Sequence, residues 1–209
     1  MNIVIFGASG RTGKELVAQA LSKGHRVTAF VRDPLKLSIQ HKNLYVVRGD
    51  VKNKLQVHAT LSGHDAVLSA LGVSKTLHHD PTVIEGIENI VSGMLINDVP
   101  RLVYESVFLV GAEKHEFSFF VNRILKNVIR KEVVDHREKE LRIQKTLPEY
   151  VIVRPGRLTN DPLSSDYRHG EKIKSASLLP SISRANVAQF MLQQLESDRY
   201  LNKAVRIMN

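Results

Sequence analysis

Short apolar runs alternate along this chain with longer stretches whose apolar residues recur every three to four positions. Ile3-Val4-Ile5-Phe6 is continuously apolar, as expected of a strand buried on both faces. Leu16, Val17, Ala20 and Leu21 then form a helical stripe that stops at Gly24, a helix-ending residue. Further strands are expected at Arg26 to Val31, Leu44 to Arg48, Ala66 to Ala70, Arg101 to Tyr104, Tyr150 to Val153 and Ala204 to Ile207. Helices are expected between them. One runs from Leu55 to Leu61, ended by Ser62-Gly63. Another follows Asp80-Pro81 and carries Val83, Ile87, Ile90 and Met94 on one face. A long helical region spans Phe119 to Lys145, and Ser183 caps a last helix bearing Val187, Phe190, Met191 and Leu195.

Strands that are apolar on both faces and alternate with helices predict an α/β fold: a doubly wound, mostly parallel sheet covered by helices on both sides. The 209 residues suit a single domain, with 43% hydrophobic residues to fill its core. Residues 157–182, rich in serine with a short strand expected at Lys172 to Ser175, fit the alternation least and read as a small C-terminal substrate lobe. There is no cysteine, which excludes disulfides, thiolate catalysis and Cys-ligated zinc and fits a reducing cytoplasm. No apolar run reaches the length of a membrane span, and MNIVIF opens as a strand rather than a signal peptide, so a cytoplasmic protein is expected.

The formal charge is +9. Residues 1–100 carry 11 basic and 8 acidic side chains, and residues 101–209 carry 19 and 13. The densest stretch, Arg123 to Lys145, interleaves eight basic with four acidic residues, the pattern of a solvated helix face. With aromatics at 6% and no Trp, a stacking platform for single strands is poorly supplied, and nucleic acid is disfavoured as the main partner.

Gly7-Ala8-Ser9-Gly10-Arg11-Thr12-Gly13 follows the first strand and opens the first helix. The first glycine permits a tight turn, the second lets backbone approach a pyrophosphate, and the third allows helix to pack on strand. The helix N-terminus offers N–H groups and partial positive charge to the phosphates. The spacing lacks the G-K-[ST] ending of a P-loop, so a dinucleotide is expected rather than a nucleoside triphosphate. Arg32 lies 19 residues beyond Gly13 and Asp33 lies 20 beyond it, at the end of strand two. An acid there would bind the ribose 2′-OH, whereas an arginine would pair with a 2′-phosphate. Pro34 should turn Asp33 away, so Arg32, with Arg11, favours NADP(H) while leaving NAD(H) open.

The glycine loop, Val31-Arg32-Asp33-Pro34, Gly49-Asp50-Val51, Ser69-Ala70-Leu71-Gly72, Val153-Arg154-Pro155-Gly156 and Ser183 to Ala188 fall in an order that resembles the atypical short-chain dehydrogenase/reductases. Within them the resemblance is to the NAD(P)H-binding flavin reductase/biliverdin reductase-like and NmrA-like group, with Asn186 where members often carry Asp. It covers nearly the whole chain and implies a Rossmann fold. It would place Asp50 and Val51 near the adenine, Ala70, Leu71 and Gly72 along the ribose and nicotinamide, and Pro155 and Gly156 beside the nicotinamide.

Typical members of that superfamily carry Tyr and Lys four residues apart on one helix. Here Tyr45, Tyr104, Tyr150, Tyr167 and Tyr200 are followed at that spacing by Gly49, Phe108, Arg154, Glu171 and Ala204. Alcohol dehydrogenation by the tyrosine mechanism is therefore disfavoured. Ile129, Val133, His136, Glu140 and Ile143 share one helix face, so His136 is either a proton donor near neutral pH or a satisfied core histidine. Ser106 would orient a substrate or the nicotinamide amide, or only bond backbone. His78-His79 lack partners at metal spacing, so no metal site is expected.

Two functions follow as expectations. The first is an NADPH-dependent reductase that passes hydride directly to a small-molecule acceptor, a flavin, quinone or similar conjugated ring. The second is a non-enzymatic NADP(H)-binding redox sensor. Either would act as a monomer or homodimer.

Overall fold

The computed structural model describes residues 1–72, 81–111, 130–174 and 180–209. Among the described residues ten strands and five α-helices follow one another. They are β1 (Asn2–Phe6), α1 (Arg11–Ser22), β2 (Arg26–Val31), β3 (Leu44–Arg48), α2 (Lys54–Leu61), β4 (Ala66–Ser69), α3 (Pro81–Ile96) and β5 (Arg101–Glu105). Then come α4 (Arg130–Thr146), β6 (Glu149–Pro155), β7 (Arg157–Thr159), β8 (Arg168–Gly170), β9 (Ser181–Ser183), α5 (Arg184–Gln193) and β10 (Lys203–Met208).

The main sheet has the order β3-β2-β1-β4-β5-β6-β10-β8. All neighbours are parallel except β8, which runs antiparallel to β10. This is the doubly wound sheet expected from the alternation. The direction of winding reverses between β1 and β4, which opens a crevice beyond their C-terminal ends.

Period-2 alternation sorts the strand residues into two cores. Ile3 and Ile5 of β1 face α1 and α5, where Leu16, Val17, Ala20, Phe190 and Met191 are buried. Val4 and Phe6 face the other layer, against Leu61, Ile87, Ile90 and Met94. The helix stripes read from the sequence are thus the faces that cover the sheet. Ser183 caps α5 as expected, its hydroxyl accepting from the Asn186 N–H at 3.1 Å.

Two features depart from the sequence reading. The strand expected at Lys172 to Ser175 lies earlier, at Arg168–Gly170, because β10 offers a free edge there: His169 pairs with Ile207. Glu171 and Lys172 form a turn instead, Ile173 and Lys174 follow it, and Ser175 lies outside the described residues. β7 and β9 form a separate parallel pair within residues 157–183. Of the long helical region, α4 is described from Arg130; residues 119–129, Asp80 and His78-His79 lie outside the described residues. Among the described residues no helix is long and apolar enough to cross a membrane.

Candidate functional site

The chain turns back directly after β1. Gly7 adopts φ +78°, and the Gly10 N–H donates to the Gly7 carbonyl at 2.9 Å. A Cβ on Gly7 would lie 2.5 Å from the Ala70 carbonyl oxygen, and one on Gly13 would collide with the Gly7 carbonyl oxygen. Neither position tolerates a side chain, so the turn is held tight between β1, β4 and α1. Gly10 is the N-cap of α1. No side chain caps it, and the first turn carries no acid. The positive end of the helix is left available to an anion, so the residues present fit a dinucleotide pyrophosphate.

A cleft of about 340 Å³ opens above this turn. Gly7, Ser9 and Gly10 form its floor. The end of β2 supplies Phe30, Val31 and Arg32, and the loop after β3 supplies Gly49, Asp50, Val51 and Lys52. Ala70, Leu71 and Gly72 after β4, with Val83 of α3, complete the wall. Asp33 turns into its own bend, where its carboxylate accepts from the Leu35 N–H at 3.1 Å and lies 3.9 Å from Lys36. Arg32, directly after β2, is among the residues that line the cleft. Asn89 of α3 holds the loop after β3 by donating to the Val51 and Lys52 carbonyls at 2.9 and 3.2 Å. Asp50 both lines the cleft and accepts from the Lys52 N–H at 3.0 Å.

The other residues singled out from the loop do not line this cleft. Ala8 and Thr12 are buried beneath it, as is Gly13, and Arg11 is exposed on α1. Thr12 donates to the buried Glu105 carboxylate at 3.1 Å. Burial pushes the Glu105 carboxyl up to about 7, against the Thr12 hydrogen bond and the Arg184 charge, which both pull it down.

Pro155 and Gly156 sit at the end of β6 and are not among the residues that line the cleft. The Gly156 N–H donates to the Ile207 carbonyl at 3.0 Å.

Ser106 and His136 meet a second, buried polar group under the ends of β5 and β6. The Ser106 hydroxyl donates to Glu140 Oε1 at 2.6 Å. Arg154 grips the same carboxylate with both ends of its fork, Nε at 3.1 Å and Nη2 at 2.5 Å. His136 Nδ1 lies 3.1 Å from the Tyr104 hydroxyl, and Asp135 and Lys139 are buried on the same helix. Burial, reinforced by the Lys139 charge, pushes the His136 imidazole down to about 3. Its burial, its Tyr104 contact and its lowered value favour the satisfied core histidine of the two alternatives. The helix spacing put His136 and Glu140 on one face, as observed. It did not reveal their partners, Tyr104 and Arg154, which come from distant strands.

Phe30, Lys52 and Val83 line the cleft without any mark of the site in the sequence reading, and Val31 and Gly49 enter that reading only as parts of a motif. The signal for Gly49 and Lys52 was their adjacency to Asp50 and Val51. Val83 read only as core stripe, and it is in fact 7% exposed. Among the described residues no three His, Asp or Glu side chains gather to hold a metal.

The NAD(P)H-binding family model matches residues 7–198. An uncharacterized chloroplastic protein of Arabidopsis thaliana is 30% identical over 214 residues, covering 99% of this chain and 76% of that protein. In structure the chain is similar to the oxidoreductase ylbE from Lactococcus lactis, with TM-score 0.83 and 20% identity over 100% of this chain and 91% of that one. It is also similar to a short-chain dehydrogenase/reductase from Veillonella parvula in complex with NADP. That TM-score is 0.80, at 18% identity over 100% of this chain and 94% of the other. At these identities the two structural likenesses speak for the fold alone.

Proposed function

The chain belongs to the NAD(P)H-binding family, with an oxidoreductase-type fold, and from that premise we propose that it is an NADPH-dependent reductase of a flavin, quinone or similar conjugated acceptor. The observation that carries the cofactor half is the cleft itself. It combines an uncapped helix start at Gly10 with Arg32 in the wall and Asp33 turned away. In this reading Gly7, Ser9 and Gly10 receive the pyrophosphate, Arg32 and Arg11 favour the 2′-phosphate, and Asp50 and Val51 flank the adenine. Ala70, Leu71 and Gly72 line the path toward the nicotinamide, with Pro155 and Gly156 beyond them.

The acceptor half rests on the sequence pattern and on the proton donors among the described residues. The sequence has no Tyr-x-x-x-Lys pair, and His136 is neutral and buried against Tyr104. A conjugated ring can take hydride and spread the charge itself, so a strong acid is not required beside it. Bound NADPH supplies the hydride, while the chain's residues orient the two rings and exclude water. The chain works as a cytoplasmic monomer or homodimer in this account.

NADPH consumption with free flavin and small quinones tests this. Turnover with at least one acceptor is expected. Tight NADPH binding without turnover on any acceptor would overturn the reductase reading and leave a redox sensor whose partner affinity depends on the cofactor's oxidation state.

A further inference from the structure

A second cavity, of about 250 Å³, opens at the N-terminal ends of β1, β2 and β3 and is lined by Asn2, Arg26, Thr28, Tyr45, Gly63 and His64. Arg26 starts β2 and Arg32 follows its end, so about 20 Å of extended chain separates this cavity from the cleft. Arg26 is held across Tyr45. Its guanidinium carbon lies 5.5 Å from the ring centre, and Nη2 donates to the Tyr45 hydroxyl at 3.1 Å. The hydroxyl oxygen accepts in that bond, so its own proton is left to donate. Among the described residues no carboxylate pairs with Arg26, and its other N–H groups make no hydrogen bond. Asn2 spends its backbone N–H on Asp65 at 2.6 Å and keeps its side-chain amide free. The groups that would oppose a negative charge are already engaged. His64 Nδ1 faces the Ser62 carbonyl at 3.1 Å, which places the ring proton on that nitrogen, so Nε2 accepts from the buried Thr28 hydroxyl at 2.8 Å. The Leu61 carbonyl at the end of α2 accepts from the His64 N–H at 3.4 Å, and Asp65 is not among the lining residues.

We propose that this cavity binds a small oxyanion, a phosphate or carboxylate group, held by the Arg26 guanidinium and the Tyr45 hydroxyl. The free donors line one space that no acid lines, which is the complement of an acceptor-only, negatively charged group. The planar fork of arginine matches either oxyanion with parallel N–H groups, and stacking on Tyr45 removes part of the side-chain freedom that binding would otherwise cost. A cavity of about 250 Å³ lies below the usual range for larger organic ligands, so it suits the anion on a compact carrier rather than a second dinucleotide. The formal charge of +9 favours such ligands at long range. The site goes beyond the reductase reading and does not rest on it.

Residue-resolved NMR titration tests the site, with inorganic phosphate in one arm and citrate in the other, each at constant ionic strength against chloride. Saturable shifts at Tyr45, Gly63 and His64, with a dissociation constant of about 1 mM or below, are expected in at least one arm. The arm that binds more tightly names the source of the oxyanion. Arg26→Gln should weaken that binding by about tenfold or more, and Tyr45→Phe by a smaller factor. Tyr45 is 49% exposed, so its loss of a hydroxyl reads binding rather than folding. Shifts that grow without saturating in both arms would overturn the inference. So would shifts confined to Gly7 to Gly10 at the start of α1, or full affinity kept by Arg26→Gln. The titration involves neither NADPH nor an acceptor, so its failure and a failure of the reductase assay are separate results.

Discussion

The Thr12 hydroxyl donates to the Glu105 carboxylate at 3.1 Å, tying the first turn of α1 to the end of β5 under the glycine loop. Glu105 is 9% exposed, and burial raises it from 4.5 to about 7. The folded state thus holds the Glu105 proton more tightly than the unfolded chain. Its contribution to stability is full below about pH 4.5 and is lost as pH rises through about 7. Glu105→Gln should remove this slope. Urea midpoints at pH 5 and pH 8 should show the variant gaining on the wild type at the higher pH, by on the order of 2–3 kcal/mol. Equal pH dependence in both proteins would contradict the assignment.

Gly13→Ala places a Cβ against the Gly7 carbonyl oxygen, a backbone atom that cannot step aside cheaply. The loop must deform, with a stability cost of about 1–3 kcal/mol. NADPH affinity should fall further than stability does, because the same carbonyl and N–H groups shape the cleft floor. Calorimetric titration together with thermal melts separates the two effects.

Arg32→Ala should weaken NADPH by about tenfold or more while changing NADH little, since a charged hydrogen bond to phosphate is worth about 1.5–3 kcal/mol. Equal loss for both cofactors would place Arg32 outside the 2′-phosphate contact.

His136 should stay neutral across the physiological range. Its folded value of about 3 lies below the usual 6.5, so the stability it confers is present above about pH 6.5 and is lost as pH falls toward 3. Its imidazole resonances, followed by NMR from pH 8 to pH 5, should not titrate. An inflection near pH 6.5 would mean that the ring is hydrated rather than packed on Tyr104.

Glu140→Leu leaves the Arg154 guanidinium without its carboxylate in a largely buried setting, where its side chain is 17% exposed. The cost should be about 3 kcal/mol, and adding Arg154→Leu should recover most of it, as apolar replacement of a buried pair does. Denaturant midpoints of the two variants give the answer.

The sheet was legible in the sequence because β1, β2 and β4 are apolar on both faces, and only a strand covered on both sides can be so. The glycine loop was legible because Gly7 and Gly13 stand where backbone meets backbone. Arg32 and Asp33 were separable because Pro34 bends the chain between their directions. The rest depended on contacts distant in sequence. Phe30 and Val83 carry no local mark that distinguishes a cleft wall from a core. His136 and Glu140 fell on one helix face by spacing, yet what each does is set by Tyr104 on β5 and Arg154 on β6. The strand at Arg168–Gly170 exists because β10 leaves an edge beside it, which no local pattern announces.

The most direct measurement of the central claim is a single-turnover mixing of the protein, 4-deuterated NADPH and free flavin. The account predicts that nicotinamide absorbance falls and flavin is reduced in one step, slowed by the deuterium at the transferring position. NADPH that binds but neither transfers hydride to flavin nor to a quinone under the same conditions would contradict it.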